Sequence, residues 1–94
     1  MTPQELAKSL RNVGPVVAQQ LAAAGIDTPA KLKRLGAKKA FVKIVETGGF
    51  CCHYNAAYLY ALEGAIRGCD WRGIPEAKKE EFKAFTRQLR KKAM

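Results

Sequence analysis

Two groups of residues in this 94-residue sequence have the types and spacing for chemistry: a few metal- or proton-handling side chains, and a large excess of cations around a glycine-proline turn. Cys51, Cys52, His53 and Cys69 are zinc-ligand types. Their spacing argues against a site. Adjacent cysteines do not supply the turn made by separated Cys-x-x-Cys ligands, and there is only one such cluster. Small buried thiols beside a histidine are the better reading. Glu63 lies inside the most apolar stretch and Asp70 just beyond it. Glu63 precedes Arg67 by four residues, the favourable order for a helical ion pair. Both carboxylates are expected to serve Arg67, Arg72 or a backbone N–H. No nucleophile, base and orienting third group can be assembled. The sequence therefore predicts no catalysis, cofactor, metal or small-molecule substrate.

Val13-Gly14-Pro15-Val16-Val17 offers anion binding instead. Pro15 suits the first position of a helix, where its missing N–H costs nothing. Gly14 puts no side chain over the helix start. The amides of Val16 and Val17 can then donate, and the aligned peptide dipoles favour a phosphate. The bland alternative is a helix start that binds water. Charge adds weight, because 17 Lys and Arg against 8 Asp and Glu give a net +9, which favours a polyanionic partner. Lys31, Lys33, Arg34, Lys38, Lys39 and Lys43 form one basic concentration. Lys79, Lys83 and Arg87, with Arg90 or Lys91, recur at three- and four-residue spacing and share a second face. That second face reads equally as a solvated surface partly neutralised by Glu76, Glu80 and Glu81. The candidate nucleic-acid-binding residues are Asn12, Gly14, Val16, Val17 and the cations of both groups up to Arg87. Lysines hold phosphates as point charges, so no base specificity is expected. Tyr54, Tyr58 and Tyr60 read as core and rim residues rather than stacking platforms.

The elements that must position these residues are helical. Thr2, Pro3 and Glu5 spell a capping box, with Leu6 and Leu10 on one face. Asn12 to Gly14 end or bend that helix. A second runs from Pro15 to Ala24 with a Val17, Leu21 and Ala24 stripe, stopped by Gly25. Thr28 caps a third, Pro29 to Leu35, and Gly36 separates it from a fourth, Ala37 to Glu46. The Thr47–Phe50 run is a break, and Cys51 to Tyr54 is either loop or first turn. The fifth helix, Asn55 to Arg67, is apolar on most sides and so central. Gly64 and Gly68 either allow a close crossing or act as a tolerated glycine and a cap. Trp71 and Ile74 are expected to plug the core from the loop after it. The last helix runs from Pro75 to about Arg90 with a Phe82, Phe85 and Leu89 seam. No segment alternates at period two, so the expected fold is all-α, a compact bundle of five or six short helices in one domain over 1–94.

Gly14, Ala18, Leu21, Gly25-Ile26 and Leu32 resemble helix-hairpin-helix units, whose hairpin amides hold duplex phosphates without reading bases. That class carries a second glycine where this chain has Asn12, a residue that tolerates left-handed backbone better than other non-glycine types. A wider resemblance runs from about Leu6 to Leu89. Leu10-Arg-Asn-Val-Gly-Pro15, the Ala-Ala-Gly-Ile-Asp-Thr-Pro run, Leu32, Leu35-Gly36, Tyr60-Ala-Leu-Glu-Gly-Ala-Ile-Arg-Gly68, Trp71 and Ile74-Pro75 resemble the C-terminal domain of the TfoX (Sxy) bacterial competence regulators. The Tyr-Ala-Leu-Glu-Gly-Ala run is the most specific part. The resemblance implies a role in switching on DNA-uptake genes together with the cyclic-AMP receptor protein, and it brings no catalytic residues. Full-length regulators of that family also carry an N-terminal domain without counterpart in this sequence.

The expected partners are double-stranded DNA, held weakly by its backbone, or a transcription factor or polymerase on which the domain docks. A membrane-surface role led by the last helix has few apolar anchors and is not expected. Three cysteines cannot all pair, and neither a signal pattern nor a membrane-spanning run is present, so a cytoplasmic location is expected.

Overall fold

Three X-Pro pairs start three of the helices. The computed structural model describes residues 2–47 and 56–93, with side chains as far as Lys91. It places α1 at Pro3–Ser9, α2 at Pro15–Ala23, α3 at Pro29–Leu35, α4 at Ala37–Glu46, α5 at Ala56–Arg67 and α6 at Glu76–Ala93, with a 3-10 turn at Trp71–Gly73. No strand occurs among the described residues, so the fold is all-α as expected. The Thr2 hydroxyl accepts from the Glu5 N–H at 3.2 Å, and the Glu5 carboxylate accepts from the Thr2 N–H at 3.1 Å, completing the capping box. Thr28 accepts from the Lys31 N–H at 3.2 Å and fixes the start of α3.

Two helices end in the same motif. Gly25 has φ +85°, and the Ile26 N–H reaches the Leu21 carbonyl at 2.8 Å. Gly68 has φ +72°, and the Cys69 N–H reaches the Gly64 carbonyl at 2.9 Å. Both are Schellman ends, in which a left-handed residue lets the chain turn back on the last carbonyls. At the first of them Ile26 and Leu21 are both fully buried, so the turn is also sealed by apolar contact.

The core is built on α4 and α5. Phe41, Ile44, Leu59 and Leu62 are fully buried, and Leu6, Leu21, Ile26, Leu32 and Phe82 close round them. Each such side chain contributes about 1.5–3 kcal/mol relative to exposure. α5 packs on α3, α4, α6 and the 3-10 turn, which confirms its central place. Its inward line is Leu59, Leu62 and Ala65, with Tyr58 and Ile66 at the margin. In α2 the buried pair is Ala18 and Leu21, because α1 and α4 both press on that side; Val17 and Ala24 are only half-buried.

Two expectations need correction. Ile74 does plug the core, but Trp71 is 41% exposed. Asp70 caps the 3-10 turn by accepting from the Arg72 N–H at 2.9 Å. The indole lies nearly parallel to the Tyr60 ring, 10° between planes and 6.5 Å between centroids, at the surface. Phe82 already fills the space beneath, tilted against Tyr60 at 6.2 Å. α6 also runs on to Ala93, since Lys91-Lys-Ala93 contains no breaker and good helix formers. Pro75 precedes it as the cap residue, its carbonyl accepting from the Lys79 N–H at 3.1 Å.

Candidate nucleic-acid interface

The glycine-proline turn forms as a bare helix start. Gly14 occupies the cap position of α2 with φ −89° and ψ −178°, makes no side-chain capping bond, and has open space where a Cβ would stand. The Ala18 N–H is the first to find an intrahelical partner, the Gly14 carbonyl at 3.0 Å. The amides of Val16 and Val17 have no hydrogen-bond partner among the described residues. Val16 is 66% exposed beside them, whereas Ile26 is buried. Such an end concentrates partial positive charge and accepts an anion.

Asn12 supports this turn. It is the one described non-glycine residue with left-handed backbone, φ +68°, so the turn survives without the second glycine. Its side chain turns inward to the fold, Nδ2 donating to the Cys69 carbonyl at 3.0 Å. That contact explains Gly64. A Cβ there would stand 2.8 Å from the Cys69 carbonyl oxygen and closer still to Asn12 Nδ2. Gly64 is therefore the close-approach glycine and Gly68 the cap.

Five of the nine candidate cations line two grooves on opposite flanks of α6, and Lys31, Lys33, Arg34 and Lys79 lie outside both. Lys83 and Arg87 line the first with Arg90, Thr86, Tyr60, Ala56 and Ala57, in a volume of about 350 Å3 between α5 and α6. A neighbouring hollow of about 340 Å3 shares Ala57 and continues over Ala61, Asp70 and Trp71 to Asn12. Ala57, Ala61 and Gly64 stand on one face of α5 at helical spacing. This small-residue strip thus leads from the cations of α6 to the turn before α2. Lys83 has its ammonium pK raised above the usual lysine range by the hydrogen bond to Glu80 at 3.3 Å. Arg87 has no acidic partner among the described residues. Arg72 stacks over Trp71 at 5.5 Å and its guanidinium lies 3.7 Å from Asp70. Lys79 sits apart, half-buried, 3.9 Å from Glu76, its carbonyl accepting from the Tyr60 hydroxyl at 3.5 Å.

Lys38, Lys39 and Lys43 line the second groove with Leu35, Val42, Glu46 and Phe85. Helical geometry turns Phe85 and Arg87 about 200° apart, so this groove faces away from the first. Lys31 lies 2.7 Å from Asp27 and holds that carboxyl below its usual range. Lys33 and Arg34 are exposed on α3. The fold thus sets Lys83 and Arg87 beside the strip that leads to Asn12, and puts the α4 lysines elsewhere. Arg90 lines the first groove beside Lys83 and Arg87, and the buried Thr86, whose hydroxyl donates to the Lys83 carbonyl at 3.0 Å, extends it beyond the residues singled out from sequence. The i,i+3 and i,i+4 spacing of Lys83, Thr86, Arg87 and Arg90 was the available signal.

Glu63 pairs with Arg67 as its spacing predicts. Cys51, Cys52, His53 and Tyr54 lie outside the described residues. Among those described, no three His, Cys, Asp or Glu side chains come together as a metal site, Cys69 is free and half-buried, and no helix is long and apolar enough to cross a membrane.

A small helical domain with an open helix start and two cation-lined grooves is the class this structure defines. The chain belongs to the TfoX C-terminal domain family, which matches residues 3–86. Solved structures share the fold, two of them as follows. An uncharacterised protein from Listeria monocytogenes, in a triclinic crystal, is 45% identical, with a TM-score of 0.80 over 89% of this chain and 92% of that one. A Listeria monocytogenes protein of unknown function, in a tetragonal crystal, is 46% identical, with a TM-score of 0.77 over 85% and 95%. Among curated proteins none matches.

Proposed function

We propose that this is a non-enzymatic regulatory domain that binds the backbone of double-stranded DNA without reading sequence. The observation that carries the reading is the bare start of α2. The Val16 and Val17 amides have no partner among the described residues, and Gly14 leaves the approach open. A phosphate at that point has the helix dipole behind it. A duplex lying along the α5 strip would bring further phosphates within reach of Lys83, Arg87 and Arg90. Membership of the TfoX C-terminal domain family supports a place in transcription or competence regulation.

Titration of a fluorescent random-sequence duplex at several salt concentrations tests this. Affinity is expected to fall steeply with salt, by about 0.9 in the log–log slope for each phosphate neutralised. Lys83→Glu with Arg87→Glu should flatten that slope by about 2. Absent or salt-independent binding would refute the proposal. A second reading, docking on a transcription factor or polymerase, draws its support from the apolar floor of the groove between α4 and α6.

A further inference from the structure

We infer that the groove between α4 and α6 receives an acidic amphipathic helix from a different protein, an inference that rests on the docking reading and not on DNA binding. The groove has a volume of about 530 Å3. Its floor is Leu35 from the end of α3, Val42 from α4 and Phe85 from α6, all half-buried and open to solvent on one side. Val42 is the telling residue: it stands on the charged side of α4, among Lys38, Lys39 and Lys43, where the core does not need it. An apolar floor offers nothing to a phosphodiester backbone. It suits the leucine or phenylalanine stripe of a helix lying in a groove.

The rim fixes the sign of the partner. Lys38 is held 3.4 Å from Glu81 and 5.3 Å from the Phe85 ring centroid, so its charge is largely answered within the fold. Lys39 and Lys43 have no acidic partner among the described residues. They are one helical turn apart on the same edge, the spacing of Glu or Asp at i and i+4 on a facing helix. Glu46 is the only acidic residue of the lining. The ten residues of α4 give a groove of about 15 Å, room for two to three turns of a partner. A second copy of this chain is the wrong occupant, because it would bring a net +9 against the same charge.

The test uses a synthetic 16-residue helical peptide with Leu at positions i, i+4, i+7 and i+11 and Glu on both flanks. Its controls are a scrambled peptide of identical composition and a version with Lys for Glu. Binding is followed by anisotropy and by amide chemical-shift mapping on the full chain. The acidic amphipathic peptide is expected to bind saturably, shifting Lys38 to Glu46 and Phe85, at least tenfold tighter than either control. Lys39→Glu with Lys43→Glu should weaken it at least tenfold without altering the helical circular dichroism, and Val42→Asp should do the same through the floor. Lys83→Glu with Arg87→Glu, which weakens DNA binding, should leave the peptide affinity unchanged. Equal binding of the scrambled peptide, shifts centred on Lys83 and Arg87, or no saturable binding would overturn the inference. Displacement of the peptide by duplex DNA would overturn it too, by assigning the groove to nucleic acid. Loss of DNA binding alone leaves all these outcomes readable.

Discussion

Gly64→Ala should destabilise the protein although alanine is the better helix former. The substitution gains up to about 1 kcal/mol of helix propensity. Against it, the new methyl stands 2.8 Å from the Cys69 carbonyl oxygen and nearer to Asn12 Nδ2. The carbonyl belongs to the Schellman end of α5 and cannot step aside cheaply. Overpacking of this kind costs about 1–3 kcal/mol. Displacing Asn12 also forfeits its 3.0 Å bond to that carbonyl, worth about 1 kcal/mol. The net expectation is a loss of about 2 kcal/mol, or a fall in melting temperature of about 8–16 °C for a domain this size. Thermal and urea unfolding followed by the helical circular dichroism signal give the measurement. Asn12→Gly removes the nearer obstacle, so the double variant should be less unstable than the sum of the singles by about 1 kcal/mol. A Gly64→Ala protein as stable as the parent would refute the close-approach account of this glycine.

Gly14→Asp should raise or preserve the melting temperature, since an aspartate cap is better than glycine by a few tenths of a kcal/mol, roughly, and a side chain there meets nothing. The same change should reduce DNA affinity in the duplex titration, because the carboxylate would occupy the amides a phosphate needs. Ile74→Ala, at a buried site, should cost about 2–5 kcal/mol in urea unfolding. Trp71→Ala should cost clearly less, and Trp71 fluorescence should be accessible to acrylamide quenching. Hydrogen bonds from the Thr2 backbone, Lys31 and Lys78 hold Glu5, Asp27 and Glu81 below the usual carboxylate range. Their small contribution is present above the ordinary carboxylate pK and is lost as pH falls through the lowered folded values. The contribution of Lys83, raised by Glu80, is present below the ordinary lysine pK and lost as pH rises through the raised one. A scan of melting temperature against pH should therefore be nearly flat from about 6 to 8 and decline modestly on the acid side.

Helix boundaries were legible wherever a local signal decides them. Thr2, Thr28, Pro15, Gly25 and Gly36 each act within one turn of chain, and the starts of α1 to α4 and the ends of α2 and α3 follow. What escaped the sequence was set by distant neighbours. Large aromatics usually belong to the core, yet Phe82, eleven residues after Trp71, takes the space. Gly64 stayed ambiguous because its constraint comes from Asn12, far away in the chain. The cations were countable but not assignable: helical spacing groups Lys83 with Arg87, while only packing tells which groove each basic cluster enters. Val42 gave the fainter signal, one apolar residue among lysines on an otherwise solvated face.

The bond from Asn12 to the Cys69 carbonyl joins positions 57 residues apart. Closing so long a loop carries an entropic cost that rises with its length, whereas the capped turns around it close locally and early. A contact of that kind is expected to form on the native side of the folding barrier, with a φ-value near zero for Asn12→Ala. Loosening it should leave the refolding rate almost untouched and quicken unfolding. On that expectation Asn12 is a kinetic latch, governing how long the helix start that presents Val16 and Val17 stays assembled, and a faster unfolding rate for Asn12→Ala is the measurement that checks it.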